Sequence, residues 1–289
     1  MKIFLIKIGY FILFPIVLFL FLFVLLSVTN KYIAKTYQLN SETENVIIGD
    51  SRTQIFQDKK LRKTKNVALG SESYFYSYYK LKFLLKNNRQ LKTVFLGASN
   101  HSFSDYFDEY IYEADVISNY FYILPLSKQL SILIHPAINK IQLIKKSTIK
   151  GFDNLIYSEK SFIGKSYIHT TNKELTENTI KDRIDFVYYN KTILREFSSL
   201  NKEYFEKIIL LCREYKINLI LLNTPTHSLY SSLIPNKFRA EYEKVVNRNS
   251  LEVITFDNLL EDSMFLPDGD HINKIGAEIL SETLSKRIN

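Results

Sequence analysis

The chain is 289 residues long, with 38 Lys and Arg against 30 Asp and Glu, 46% hydrophobic residues and a single cysteine. That length allows one large or two small domains, and one cysteine excludes an intrachain disulfide framework and a cysteine-based metal site. The first 40 residues hold four lysines and no acid, which leaves 34 basic against 30 acidic residues elsewhere; with no recognition-helix, zinc-finger or RNP pattern, no nucleic-acid partner is expected.

From Ile8 to Val28 the sequence is almost wholly Ile, Leu, Phe and Val, with Pro15 the only breaker. About 20 residues without a charge suffice to cross a bilayer as a helix. No Ala-x-Ala site lies near Ser27-Val28-Thr29, and the apolar run exceeds an ordinary signal-peptide core. Residues 1–30 therefore read as a transmembrane anchor, or an uncleaved signal. Lys2 and Lys7 before the run and Lys31 and Lys35 after it leave the flanking charge nearly balanced. Residues 31–44 are polar, have no apolar period and are expected to be a linker.

Asn45-Val46-Ile47-Ile48-Gly49-Asp50-Ser51-Arg52 reads as a buried strand, a glycine that permits a sharp turn, and a serine just past the strand end. If a helix follows, Ser51 either caps it or lies near free backbone N–H groups. Asn66 to Gly70 and Thr93 to Gly97 look like further short strands with the same glycine ending. Between them, Phe75, Tyr78, Tyr79 and Phe83 mark a helix over 73–86. This is the βαβ rhythm of a parallel sheet.

Residues 106–200 break that rhythm and are expected to form a largely helical insertion, either a lid or a substrate-binding element, with most of its aromatics in a core. His135 and His169 lie in it without a partner pattern and are assigned structural or surface roles. The rhythm returns with a helix over 200–215, on whose apolar face Cys212 reads as a buried thiol. A strand over 217–222 follows, then the loop Asn223-Thr224-Pro225-Thr226-His227. A helix over 235–248 with Pro235 at its start, a strand over 251–256 and a helix over 273–286 with Ile275, Ile279, Leu280 and Leu284 on its apolar face close the chain. Gly-x-Gly-x-x-Gly and Walker-type loops are absent and the five histidines show no ligand spacing, so neither a cofactor nor a metal is expected.

A serine nucleophile needs a base, and the base needs orienting. Pro267-Asp268-Gly269-Asp270-His271 supplies both just before the last helix. Asp268, three residues before His271, can reach its Nδ1 in a turn and leave Nε2 free to face Ser51; Asp270 is the second choice, because neighbouring side chains usually diverge. The order Ser, Asp, His is a known triad order. For an oxyanion, the backbone N–H groups of Ser51 and Gly70 and the side-chain amide of Asn100 are candidate donors.

These blocks resemble the SGNH or GDSL hydrolase superfamily. Gly49-Asp50-Ser51 matches its first block, Gly70 its glycine block, Gly97-Ala98-Ser99-Asn100 loosely its third, and Asp268 and His271 its last. The resemblance covers about 45–97 and 216–288 and departs from the pattern at Arg52, where leucine is common, and at Asn100, one place late. It implies an α/β protein, a three-layer α/β/α sandwich around a parallel five-stranded sheet of flavodoxin-like type, spanning 45–289. With the anchor in front, the layout is similar to bacterial proteins that O-acylate cell-surface polymers. That implies a membrane-anchored serine esterase or O-acyltransferase outside the cytoplasmic membrane, acting on an acylated glycan or another acyl ester, beside a multi-spanning membrane acyltransferase. Ser99, His101 and His227 are then candidate substrate contacts. The alternative from another class is a non-catalytic glycan-binding or assembly protein that keeps the fold without turnover.

Overall fold

The computed structural model describes residues 2–171, 173–256 and 258–288, and they divide into two compact units. One unit comprises residues 38–112 and 163–289 and carries the sheet. Its strands are β1 (Asn45–Ile48), β2 (Thr64–Asn66), β3 (Thr93–Gly97), β6 (Asn218–Asn223) and β7 (Glu252–Thr255), while β4 (Tyr189–Asn190) and β5 (Ile193–Leu194) form a small separate hairpin. The five strands are all parallel, in the order β2-β1-β3-β6-β7. The flanking helices of this unit are α2 (Tyr74–Asn87), α3 (Tyr106–Ile111), α7 (Glu177–Tyr188), α8 (Ser199–Glu214), α9 (Ser228–Leu233), α10 (Asn236–Asn249) and α11 (Lys274–Ile288). This is the α/β architecture expected from the strand–helix rhythm.

The pleat sorts the strand residues between two layers. Ile47, Phe95, Ile220, Leu222 and Ile254 share a cluster with Ala277, Leu280 and Leu284 of α11. Val46, Ile48, Val94, Leu96 and Leu221 alternate with them and are wholly buried on the opposite face. The α11 face differs from expectation: Ile275 is exposed and Gly276, Ala277, Leu280, Ser281 and Leu284 are buried. Gly276 lets the helix pack closely on the segment that precedes it; a Cβ there would lie 2.5 Å from Ile272 and 3.1 Å from the Met264 carbonyl. β2 also differs, because it covers Thr64–Asn66 rather than the stretch ending at Gly70. Beyond it the chain still runs along β1, with the Val67 N–H donating to the Ile47 carbonyl at 2.8 Å and the Leu69 N–H to the Gly49 carbonyl at 3.0 Å.

A second cluster of buried aromatics joins α3, α7, α9 and α10 through Tyr106, Tyr188, Tyr230 and Phe238. Of the aromatics in residues 106–200, Tyr106, Phe107 and Tyr188 belong to this cluster, whereas Tyr167 and Phe186 are exposed. The loop after β2 is fastened to α2 by a fully buried pair, in which Lys80 Nζ meets the Glu72 carboxylate and the Val67 carbonyl.

The other unit comprises residues 1–37 and 113–162. It contains α1 (Lys2–Thr36), α4 (Ala114–Tyr120), α5 (Leu126–Ile134) and α6 (Lys140–Ile156). The stretch Tyr10–Thr36 of α1 is long and apolar enough to cross a membrane, and an 18-residue window within it has a mean hydropathy of 3.1. The expected linker from 31 onward begins later, because the helix continues to Thr36. Leu26, Asn30 and Ala34 recur at four-residue spacing and are buried within this unit, so packing extends the helix where composition reads as loop.

The chain passes from β1 to β2 on one side and then to β3 on the other, so the strand order reverses between β1 and β3. Open parallel sheets place their ligands at the carboxyl ends of such strands. Gly49 and Gly97 end these two strands and face each other under Thr53. A Cβ on Gly97 would lie 2.6 Å from Thr53 Cγ2, and one on Gly49, whose φ is +135°, would lie 2.8 Å from Thr53 Oγ1. The Gly97→Ala variant is expected to lose about 1–3 kcal/mol of unfolding free energy from overpacking. Adding Thr53→Ser, which removes the clashing methyl, is expected to restore part of it, as read by urea unfolding of the two variants.

Candidate active site

Ser51 follows the sharp turn at Gly49. No helix follows it; residues 51–55 are a run of turns. The Thr53 and Gln54 N–H groups donate to the Asp50 carbonyl at 3.1 and 3.2 Å, and the Arg52 N–H donates to Asp50 Oδ1 at 3.0 Å. Asp50 thus shapes the turn, and Ser51 caps no helix. Its half-buried hydroxyl lies 2.8 Å from His271 Nε2.

His271 comes from the turn before α11. Gly269 adopts φ +63°, a conformation that L side chains rarely adopt, and lets the chain double back. The Asp270 and His271 N–H groups both donate to Asp268 Oδ1 at 3.0 Å, and Asp268 Oδ2 lies 2.7 Å from His271 Nδ1. With Asp268 ionised, Nδ1 carries the proton and donates to it, leaving Nε2 to accept from the Ser51 hydroxyl. Burial alone would raise the Asp268 carboxyl. The hydrogen bond and charge of His271, its backbone N–H and Arg183 outweigh that and hold it down at about 2. The three residues expected to form a triad are therefore in hydrogen-bonded sequence.

Asp270 has a different place. Its wholly buried carboxylate is paired with Arg52 on one oxygen and with Arg183 on the other, at 2.6 Å. Arg52 is itself buried, donates to Ser99 Oγ at 2.8 Å and lies over the Tyr230 ring at 5.7 Å. The side chains of the neighbours Asp270 and His271 diverge, so one serves the ion cluster and the other the serine.

Behind Asp50 runs a second chain of polar groups. Arg52 donates to Ser99 Oγ, whose hydroxyl bonds His101 Nδ1, and His101 Nε2 lies 2.7 Å from Asp50 Oδ2. This order is consistent for a neutral His101 with its proton on Nε2. Burial, with Arg52 adding, lowers the His101 imidazole to about 4 despite the Asp50 charge. For Asp50, burial raises, but the His101 N–H and Arg52 prevail and hold the carboxyl at about 2. Ser99 and His101, expected as substrate contacts, are buried and bonded in this way and support the nucleophile turn, and Ser99 also lines a polar cavity.

His227, the third expected contact, is likewise engaged. Its Nδ1 accepts from the Leu229 N–H at 3.2 Å at the start of α9, its Nε2 lies 3.2 Å from Asp262, and its backbone N–H donates to the Gly269 carbonyl at 2.9 Å. It ties the loop after β6 to the triad turn. His135 ends α5 in the other unit, where its Nδ1 accepts from the Ala137 N–H.

Among the described residues, the backbone N–H groups of Ser51 and Gly70 and the Asn100 carboxamide have no hydrogen-bond partner. Asn100 begins a 3₁₀ turn after β3 and, with Arg52, Ser99 and Thr224, lines a polar cavity of about 300 Å³. Gly70 has no positive φ, and a Cβ there would meet only Gln54 Oε1 at 3.4 Å, so sterics do not demand a glycine.

A second cavity, of about 410 Å³, opens beside the triad and is lined by His271, Asp268, Pro267, Thr179, Thr170 and His169, among others. The ring of His169, expected in a structural or surface role, lies 5.6 Å from that of His271, and its buried Nε2 has no hydrogen-bond partner among the described residues. Burial, then the neighbouring His271, lower its imidazole. What brings it there is a strap over 163–169. Gly164 sits where a Cβ would lie 2.0 Å from the Ala68 carbonyl, the Tyr167 N–H donates to the Gln54 carbonyl at 2.8 Å, and Ser166 Oγ donates to the Phe56 carbonyl at 2.8 Å. Gly164 was the available signal in the sequence; nothing there pointed to Arg183 or His169. No cluster of three His, Cys, Asp or Glu side chains placed to hold a metal occurs among the described residues.

The charge states fix how stability responds to acid. Unfolded His101 takes its proton near pH 6.5 and the folded one near 4, so this contribution is complete above 6.5 and lost as pH falls to about 4. Asp50 and Asp268 are depressed from 3.8 to about 2, so theirs is complete above about 4 and lost between about 4 and 2. Thermal unfolding across pH is expected to show both stages, and His101→Gln is expected to remove the first while keeping the second.

No family model matches the chain, and no curated protein sequence matches it.

Proposed function

We propose that the protein is a serine esterase or O-acyltransferase of the SGNH type, anchored by α1, whose sheet-bearing unit acts outside the cytoplasmic membrane on acyl esters of cell-surface polysaccharide. The observation that carries the reading is the relay from Ser51 Oγ through His271 to Asp268, at 2.8 and 2.7 Å, beside a cavity of about 410 Å³. Hydrogen-bonded nucleophile, base and orienting acid on three successive positions of one relay are the parts that acyl transfer requires.

In the proposed reaction Ser51 Oγ attacks the ester carbonyl carbon and its proton passes to His271 Nε2. Asp268 holds the imidazole in place and stabilises its charge. The oxyanion is met by the free N–H groups of Ser51 and Gly70 and by the Asn100 amide. The alcohol leaves with the proton from His271, which frees the acyl-enzyme. Water or a sugar hydroxyl then gives its proton to Nε2 and attacks the acyl carbon, and Ser51 takes the proton back as the product departs. The polar cavity lined by Arg52, Asn100 and Thr224 suits a hydroxylated acceptor better than an aliphatic one. A multi-spanning membrane acyltransferase is the proposed source of acyl groups. The alternative of a glycan-binding scaffold without turnover would not need a serine held on a base, so the relay favours the enzyme.

A fluorophosphonate probe is expected to label the wild-type chain in membranes and to leave Ser51→Ala unlabelled. Hydrolysis of a small acyl ester is expected to fall about 10³-fold or more in Ser51→Ala and His271→Ala. Equal labelling of wild type and Ser51→Ala would sink the assignment.

A further inference from the structure

The helical unit has apolar surface that its own packing leaves uncovered. α6 uses one face for packing, where Leu143, Ser147, Gly151 and Asn154 are buried. Turned roughly 120° or more around the helix, Ile141, Ile149, Phe152 and Ile156 form a second apolar face, 44–82% exposed. α5 repeats the arrangement: Gln129 and Ile132 are buried, while Leu126, Leu130 and Ile134, at four-residue spacing, are 52–77% exposed. A soluble surface rarely carries such a patch without a partner.

Three further observations say what covers it. α6 is fixed to the apolar helix at a definite level. The Asn30 carboxamide is wholly buried, donates to the Gly151 carbonyl at 3.1 Å and accepts from Asn154 Nδ2 at 2.8 Å. Asn30 lies just past the end of the apolar run Ile8 to Val28, which at 1.5 Å per residue is about 30 Å, the thickness of a bilayer core. A helix fastened at Asn30 therefore lies at headgroup depth if α1 spans. The charge has one sign: residues 126–156 contain five lysines and one acid, Asp153. Lys146 pairs with Asp115 of α4 at 2.7 Å, and Lys128, Lys140, Lys145 and Lys150 have no acidic partner among the described residues. Lys145 stands on the exposed face of α6 itself, one turn from both Ile141 and Ile149, and such a side chain lays its stem along apolar surface while its ammonium group reaches an anionic headgroup.

We propose that α5 and α6 lie in the interface of an anionic bilayer, apolar faces toward the acyl chains, so that this unit is held to the membrane by two amphipathic helices in addition to α1. The inference rests on the reading of α1 as a membrane anchor, and its test separates the two.

The chain contains no tryptophan, so single indoles report their surroundings without background. Full-length Phe19→Trp, Phe152→Trp and Lys244→Trp variants are reconstituted into phosphatidylcholine–phosphatidylglycerol vesicles with brominated acyl chains. The indoles of Phe19→Trp, in the middle of α1, and Phe152→Trp are expected to emit at blue-shifted wavelengths and to be quenched. That of Lys244→Trp, at an exposed position of α10 in the sheet-bearing unit, is expected to emit as in water. Quenching of Phe19→Trp alone overturns the interfacial placement, as it would if a protein partner covers this face. Absence of quenching in Phe19→Trp overturns the anchor reading and this inference with it. Replacing phosphatidylglycerol by phosphatidylcholine is expected to weaken the quenching of Phe152→Trp, and quenching independent of lipid charge would overturn the anionic preference.

Discussion

Two neighbouring dipeptides, Ser51-Arg52 and Asp270-His271, pair crosswise. Ser51 meets His271 at 2.8 Å and Arg52 meets Asp270, with Arg183 on the other carboxylate oxygen. The ion cluster is buried and the serine–histidine bond stands at the cavity side, so the stronger contact locks the register of the weaker one. Breaking a buried charge pair by removing one partner typically costs about 3–5 kcal/mol, because the other charge is left without compensation. Replacing such a cluster by apolar residues is often neutral for stability. Its role here is to fix which two turns face each other, and the whole candidate site depends on that.

The sheet prepares this meeting. Reversal of strand order between β1 and β3 opens a crevice at their carboxyl ends. Gly49 and Gly97 let Thr53 fold back over those ends, so the nucleophile turn is compact and needs no helix to support it. Ser99, His101 and Asp50 then buttress the turn from behind, and the strap over 163–169 closes it from the side. His227 performs the same service for the turn that carries the base. Histidines and serines that look like chemistry in a sequence here act mostly as supports, and the difference is whether their polar atoms are already satisfied.

β1, β3, β6 and β7 were legible because each is a short apolar run bounded by turn residues, whereas β2 is the polar Thr64–Asn66 and is a strand only through its pairing with β1. The α2 and α8 helices were legible because their apolar residues recur at helical spacing, and α10 because Pro235 stands at its start. α11 was legible as a helix but not in its buried face, since Gly276, Ala277 and Ser281 are small and Ile275 is large, and only close tertiary packing favours the small ones. The end of α1 was hidden for a related reason: Asn30 reads as polar loop, yet its carboxamide is consumed by Gly151 and Asn154 far along the chain. Local composition carries no trace of such a partner.

By itself the sequence determined the parallel α/β rhythm, the apolar helix long enough to span a membrane, and the identity of Ser51, Asp268 and His271. Each of these is set within a few residues, by hydrophobic period, by a glycine, or by an i to i+3 spacing in a turn. Only the tertiary structure decided that Asp270 turns away to Arg52 and Arg183, that His169 stands beside His271, and that Ser99, His101 and His227 are bonded within the protein. Those outcomes depend on contacts between segments distant in the chain, where burial without a partner is too costly for a charged or polar group, and no local pattern records which distant partner it will find.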